Sequence, residues 1–98
     1  MSDLQVVWDP RKAAANKRKH GVSFDEAKSV FLDDSALLRA DPDHSGEEDR
    51  FLILGLSSGL RLLVVCHCYR ETENIIRLIS ARRAAKRESE LYARRVKR

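Results

Sequence analysis

Apolar positions in this chain recur at helical spacing up to residue 32, every second residue from 36 to 80, and at helical spacing again from 82. The first period belongs to amphipathic helices and the second to strands. LQVVW (4–8) alternates weakly and is short, which fits an edge or first strand. Asp9 and Pro10 then supply a helix N-cap and a residue suited to the first helical position. RKAAANKRKH extends that helix to Gly21, which is placed for a left-handed C-cap. Ser23 and Glu26 form the S-x-x-E box of a second helix, whose apolar face is Phe24, Ala27, Val30 and Phe31 and which Asp33-Asp34 ends.

ALLRA (36–40) reads as a strand, and DPDHSGEED (41–49) as an acidic, turn-rich loop. RFLILGLS (50–57) and RLLVVCHCYR (61–70) read as a hairpin closed by a tight Ser-Gly turn. ETEN (71–74) turns the chain into a strand over 75–80, and a basic helix follows over 82–96 with Ala81, Ala84, Ala85, Tyr92 and Val96 near one stripe. The run LLVVC is apolar on both sides, which marks a central strand covered on two faces. The order β-α-α-β-β-β-β-α predicts an α+β fold: a mostly antiparallel sheet, two N-terminal helices packed on it, and a C-terminal helix. No repeat or linker divides the chain, so 1–98 is read as one domain.

Charge sharpens this picture. Five Lys/Arg fall in residues 10–20 and eight in 82–98, out of 19 in all, whereas residues 21–49 hold two against nine acids. Basic ends around an acidic middle are the footprint of a polyanion partner, nucleic acid above all, although basic helices also serve as plain solvated faces. The longest apolar run, LRLLVVC (60–66), is interrupted by Arg61 and is too short to span a membrane. No secretory signal pattern opens the chain, so a soluble cytoplasmic protein is expected. Cys66 and Cys68 are i and i+2 on one strand face with His67 on the other, which suits reduced core thiols and not a metal site.

No Gly-rich phosphate loop, paired-cysteine motif or nucleophile elbow is present, and the acidic pairs have no histidine at ligand spacing. What remains is a density of Arg, Lys and His at element ends. Strict alternation puts Arg77 with Ile75 and Ile79, and sends Ser80 and Arg82 to the opposite face and into the first turn of the last helix. An arginine among isoleucines cannot be left unpaired in a core. Either Arg77 forms an ion pair, with Glu88 the nearest candidate, or its face is wet and forms a site. Metal-free RNA cleavage needs a proton acceptor for the 2′-hydroxyl, cations for the phosphate and a proton donor for the leaving 5′-oxygen. His20, His67, Arg70, Arg77 and Arg82 supply the catalytic types, and Lys12, Lys19, Ser80, Arg83, Lys86 and Tyr92 supply further contacts to RNA. Each histidine also has a structural reading: His20 as a helix cap, His67 as a core residue, His44 as a solvated loop residue. Trp8 and Tyr92 likewise read as packing residues.

Three ordered blocks carry a resemblance. They are WDPRKAAANKRKHGVSFDEAKSVFLD, DRFLILGLSSGLRLLVVCHCYR and IIRLISARRAAKRESELY. Together they resemble the BrnT family of bacterial toxins, through Trp8, Asp9, Lys12, Asn16, Lys19, His20, Gly21, Phe24 and Ala27, then Arg50 and Gly55, then Arg77, Ser80, Ala81, Arg82, Ala84, Glu88 and Tyr92. The resemblance implies a RelE-like ribonuclease fold and a type II toxin acting as a metal-independent endoribonuclease that arrests translation. No cofactor is implied. It also implies a BrnA-like antitoxin with a ribbon-helix-helix part, in a 2:2 complex that reaches operator DNA only through the antitoxin. The competing reading is a non-catalytic module that binds RNA or antitoxin and takes part in repressing its own operon.

Overall fold

A computed structural model describes residues 5–42, 49–70 and 74–97, with Arg70 described in its backbone only. His44 and most of the acidic loop lie outside those residues. The elements are β1 (Gln5–Val7), α1 (Pro10–His20), α2 (Phe24–Lys28) running into a 3-10 turn (Ser29–Leu32), β2 (Leu37–Ala40), β3 (Phe51–Leu56), β4 (Leu62–Arg70), β5 (Ile75–Arg83) and α3 (Lys86–Val96).

The five strands form one sheet in the order β1-β5-β4-β3-β2. β2 to β5 make an antiparallel meander, and β1 adds to the outer edge of β5 in parallel, Val7 facing Arg77. Strand alternation then gives the sheet two faces. One carries Ile53, Leu63, Val65, Ile76, Leu78 and Ala81 against Val22, Phe24, Ala27 and Val30, and this is the main core. The other carries Leu52, Leu54 and Val64 beneath α3, which lays Leu91 over them.

The caps form where the sequence places them. Asp9 accepts from the Arg11 N–H at 2.8 Å, Ser23 accepts from the Glu26 N–H at 3.1 Å, and Gly21 closes α1 at φ +71°. In the β3–β4 turn the left-handed residue is Leu60, at φ 60°, and not the neighbouring Gly59. Gly55 is needed for space: a Cβ there would stand 2.8 Å from Val30 Cγ1 and 3.0 Å from Ala36 Cβ.

β5 departs from the expected pattern in two ways. It runs on through Ala81, Arg82 and Arg83, because β4 is long enough to pair with all three (Val65↔Ala81, Val64↔Arg82, Leu63↔Arg83). Partner pairing here overrides the helical preference of the Ala/Arg run, so the last helix starts at Lys86 and not at 82. Ala81 accordingly belongs to the sheet core and not to a helical stripe. The second departure is a bulge. Cys66 faces Ser80 while His67 faces Leu78, leaving Ile79 as an extra residue.

Two polar clamps complete the frame. Asn16 donates from Nδ2 to the carbonyls of Val22 (3.0 Å) and Ala81 (2.9 Å) and accepts at Oδ1 from the Ala81 N–H (3.0 Å). It serves as a one-residue strand neighbour for β5 beyond the point where β1 stops. Glu26 receives Arg61 in an ion pair and the Ser57 hydroxyl at 2.6 Å, tying the β3–β4 turn to α2. The Arg61 hydrogen bonds dominate over burial and hold the Glu26 carboxyl down at about 2.

Candidate active site

The bulge at Ile79 decides which side chains meet. Cys68, Cys66 and Val64 alternate on β4, so they share the face that α3 partly covers. Their partners on β5 are Arg77, Ser80 and Arg82. Those three therefore stand together on that face, and the expectation that Arg77 points away from Ser80 and Arg82 is corrected. Strict alternation failed because one unpaired residue reverses parity for everything beyond it.

Arg82 holds Glu88 in a two-pronged pair, with Nη1 to Oε1 and Nη2 to Oε2 both at 2.9 Å. Glu88 Oε1 also accepts from the Ala85 N–H at 2.7 Å, so one carboxylate caps α3 and anchors a site arginine. The Arg82 bonds are the main reason that the Glu88 carboxyl lies below its ordinary value. Glu88, the nearest candidate considered for an ion pair with Arg77, is held through both oxygens by Arg82. Arg77 itself is half-buried beside Cys68 and Val7.

α1 borders this row. Its N-terminus follows β1, which ends opposite Arg77, and Asn16 is fastened to Ala81, so the helix follows β5 in the same direction. Lys12 and His20 lie one turn before and one turn after Asn16, about 5–6 Å each way on nearly the same helix face. His20 is thus carried one turn beyond the Asn16–Ala81 clamp, half-buried at the end of α1, and Lys12 and Lys19 are exposed on the same helix.

Other candidates land elsewhere. Arg83 shares the side of Leu63 and Ala81 and is exposed, with its charge felt at Glu26. Lys86 is exposed at the start of α3. Tyr92 donates its hydroxyl to Asp33 Oδ2 at 2.7 Å. Burial, and then Asp33, push the phenol up to about 12, so it is a latch for α3 in the free protein. Arg70 pairs with Ile75 at the far end of the β4–β5 ladder.

His67 sits in the core and not in the site. It is completely buried on the helix-covered face, with Phe31 edge-on at 4.8 Å and Tyr69 at 5.6 Å. Nδ1 lies 3.1 Å from the Val65 carbonyl, which can only accept, so the proton is on Nδ1. Nε2 makes no hydrogen bond among the described residues. Burial pushes this imidazole below its ordinary 6.5, with the Val65 bond in partial opposition. Unfolded chains take up this proton near 6.5 and the folded protein only at lower pH, so falling pH favours unfolding. The urea midpoint should therefore drop between about pH 7.5 and about pH 5.5, and the drop should shrink in His67→Phe. An equal drop in the variant would assign the acid sensitivity to another group.

Asn16 and Arg61 were not read as structural anchors from the sequence. Asn16 had one available signal, a single amide within an otherwise basic and alanine-rich helix. Among the described residues no three His, Cys, Asp or Glu side chains are grouped to hold a metal ion. No described helix is long and apolar enough to cross a membrane.

Comparison with known proteins places this geometry in context. A family model described as the ribonuclease toxin BrnT of type II toxin–antitoxin systems matches residues 8–88. The fold is similar to that of the Brucella abortus ribonuclease toxin BrnT, with a TM-score of 0.61 and 24% identity, covering 85% of this chain and 99% of that one. At that identity the structural likeness speaks for the fold alone. No curated protein matches the sequence.

Proposed function

Because the chain belongs to the BrnT ribonuclease toxin family of type II toxin–antitoxin systems, we propose that it is a metal-independent endoribonuclease whose site is the β5 seam. The observation that carries this reading is the bulge that gathers Arg77, Ser80 and Arg82 on one sheet face. A phosphodiester laid on that row meets the Arg77 guanidinium, the Ser80 hydroxyl and the N–H groups of Arg82 that its two-pronged pair with Glu88 leaves over. Charge building on its non-bridging oxygens in the transition state is met by donors already in place. The 2′-oxygen forms a bond to phosphorus while the bond to the 5′-oxygen breaks, leaving a 2′,3′-cyclic phosphate and a 5′-hydroxyl. His20, in the last turn of α1, is the assigned proton carrier, and the exposed Lys12 and Lys19 of the same helix add to the positive field. His67 is withdrawn from that role by its burial. Tyr92 serves the site by holding α3 in place.

Type II membership implies an antitoxin partner. In this reading the antitoxin is BrnA-like with a ribbon-helix-helix part, the complex is 2:2, and operator DNA is bound only through it. The fold is then RelE-like, and arrest of translation follows from RNA cleavage in the cytoplasm.

The decisive assay incubates folded, antitoxin-free protein with single-stranded RNA in excess EDTA. Cleavage to 2′,3′-cyclic phosphate ends, undiminished by the chelator, is expected. Intact RNA would leave the chain as a non-catalytic module that binds antitoxin or RNA.

A further inference from the structure

A second basic feature lies apart from the seam. Between β2 and α3 opens a cleft of ≈ 550 Å³ lined by Arg39, Ala85, Arg87, Glu88, Glu90, Leu91 and Arg94. Its size is within the ordinary range for small-ligand sites. Arg87 and Arg94 are seven residues apart, two turns of α3, so they project from one helix face about 10 Å apart. Arg39 comes from β2 on the other wall. The cleft shares Arg39, Glu88 and Leu91 with a small apolar slot floored by Leu37, Leu52, Leu54 and Val64. Leu91 is left 44% exposed at this junction.

The cleft continues the seam. Arg39 faces Leu52, Leu52 faces Cys66 and Cys66 faces Ser80, so Arg39 and Ser80 share a sheet face across three strand spacings, about 14 Å. Glu88 is the hinge between them: it is bound by Arg82 and also feels the charge of Arg39. The walls are fixed before any ligand arrives. Arg82–Glu88, Tyr92–Asp33 and the Arg95 Nε bond to the Ser35 carbonyl (2.9 Å) hold α3 against the sheet.

We propose that this cleft is a subsite for one nucleotide of a single-stranded RNA, beside the nucleotide whose phosphate lies on the seam. Arg39, Arg87 and Arg94 hold its phosphate, and Leu91 with the leucine floor takes the face of its base. The lining sets three cations and an apolar patch against two carboxylates, of which Glu88 is already held by Arg82, and the net positive balance suits an anionic group joined to a flat ring. This assignment rests on RNA being the substrate of the seam, and its test does not depend on cleavage.

The probe is a short fluorescein-labelled RNA with 2′-O-methyl groups throughout, which has no attacking hydroxyl. Its affinity for the full-length wild type, Arg39→Ala, Arg94→Ala and the double variant is read by anisotropy over a salt series. The double variant should bind at least about tenfold more weakly, with the log–log salt slope reduced by about 0.7 for each phosphate that is no longer neutralised. Unchanged thermal melting shows that the fold is intact, and lysine at both positions should restore part of the affinity. Wild-type affinity and slope in the double variant would overturn the proposal. So would loss of antitoxin binding with RNA affinity retained, which would make the cleft a protein interface. If natural RNA is bound but never cut, the seam reading fails and the subsite stands. If it is cut with an unchanged KM in the double variant, the subsite fails and the seam stands.

Discussion

Replacing Asn16 with alanine is expected to remove about 3–5 kcal/mol of stability, a large share of the roughly 5–15 kcal/mol that holds a domain of this size together. The side chain makes three hydrogen bonds to backbone, two of them to the single residue Ala81. Ala81 is completely buried, and β1 ends its pairing with β5 four residues earlier, at Arg77. Truncation therefore strands one donor and two acceptors where no strand can take them, and each buried orphan costs about 1–3 kcal/mol. Urea denaturation at neutral pH measures the effect directly. Asn16→Asp separates polarity from size: it keeps the acceptor for the Ala81 N–H but turns a carboxylate oxygen toward two carbonyls. It should be at least as damaging as alanine. A loss below about 1 kcal/mol in both variants would show that water replaces the amide and that the clamp is dispensable.

Arg77→Ala is expected to lower RNA cleavage by roughly 10²–10³-fold, the usual loss when one preorganised donor to a developing anion is removed. Single-turnover rates with enzyme in excess read the chemical step, and thermal melting serves as the control. The contrast with Arg82 makes the result informative. Arg82 is bonded to Glu88 through both prongs and that carboxylate also caps α3, so Arg82→Ala should weaken folding and cleavage together. For Arg77→Ala the cleavage loss is read on protein that still melts cooperatively, and Arg77→Lys, which keeps the charge but loses the planar fork, should lie between wild type and alanine. Full activity with a lowered melting temperature would make Arg77 a structural residue and remove the centre of the proposed site.

The order and type of the elements were legible because their cues are local: an Asp-Pro start, a Gly21 stop, a Ser23–Glu26 box and a change of period. Pairing partners were not. Nothing near Gln5–Val7 says that this strand will lie parallel to Ile75–Arg77, since the contact is set by the whole meander closing first. The reach of β5 to Arg83 was hidden because Ala-Arg-Arg-Ala-Ala suits a helix, and only the length of β4 recruits it to the sheet. The bulge was invisible for a deeper reason. Alternation is a rule about undisturbed strands, and Ile79 looks like any other apolar residue in the run. Residue types of the site could thus be chosen from the sequence, but not the face they share. His67 shows the reverse case. Its neighbours Val65 and Tyr69 already argued for a buried strand face, and the structure surrounds it with Phe31, Phe51 and Tyr69.

The docking of β1 and α1 on β5 has a consequence for synthesis. The first strand and the Asn16 clamp both need partners from Ile75 to Ala81, so the N-terminal third of the chain has no sheet to join while it emerges from the ribosome. Contacts spanning such a sequence distance close late and slowly. The strand that seats α1 is also the strand that carries Arg77, Ser80 and Arg82. The proposed seam and the scaffold that orders it therefore come into being in the same final step, after residues 75–83 have been made.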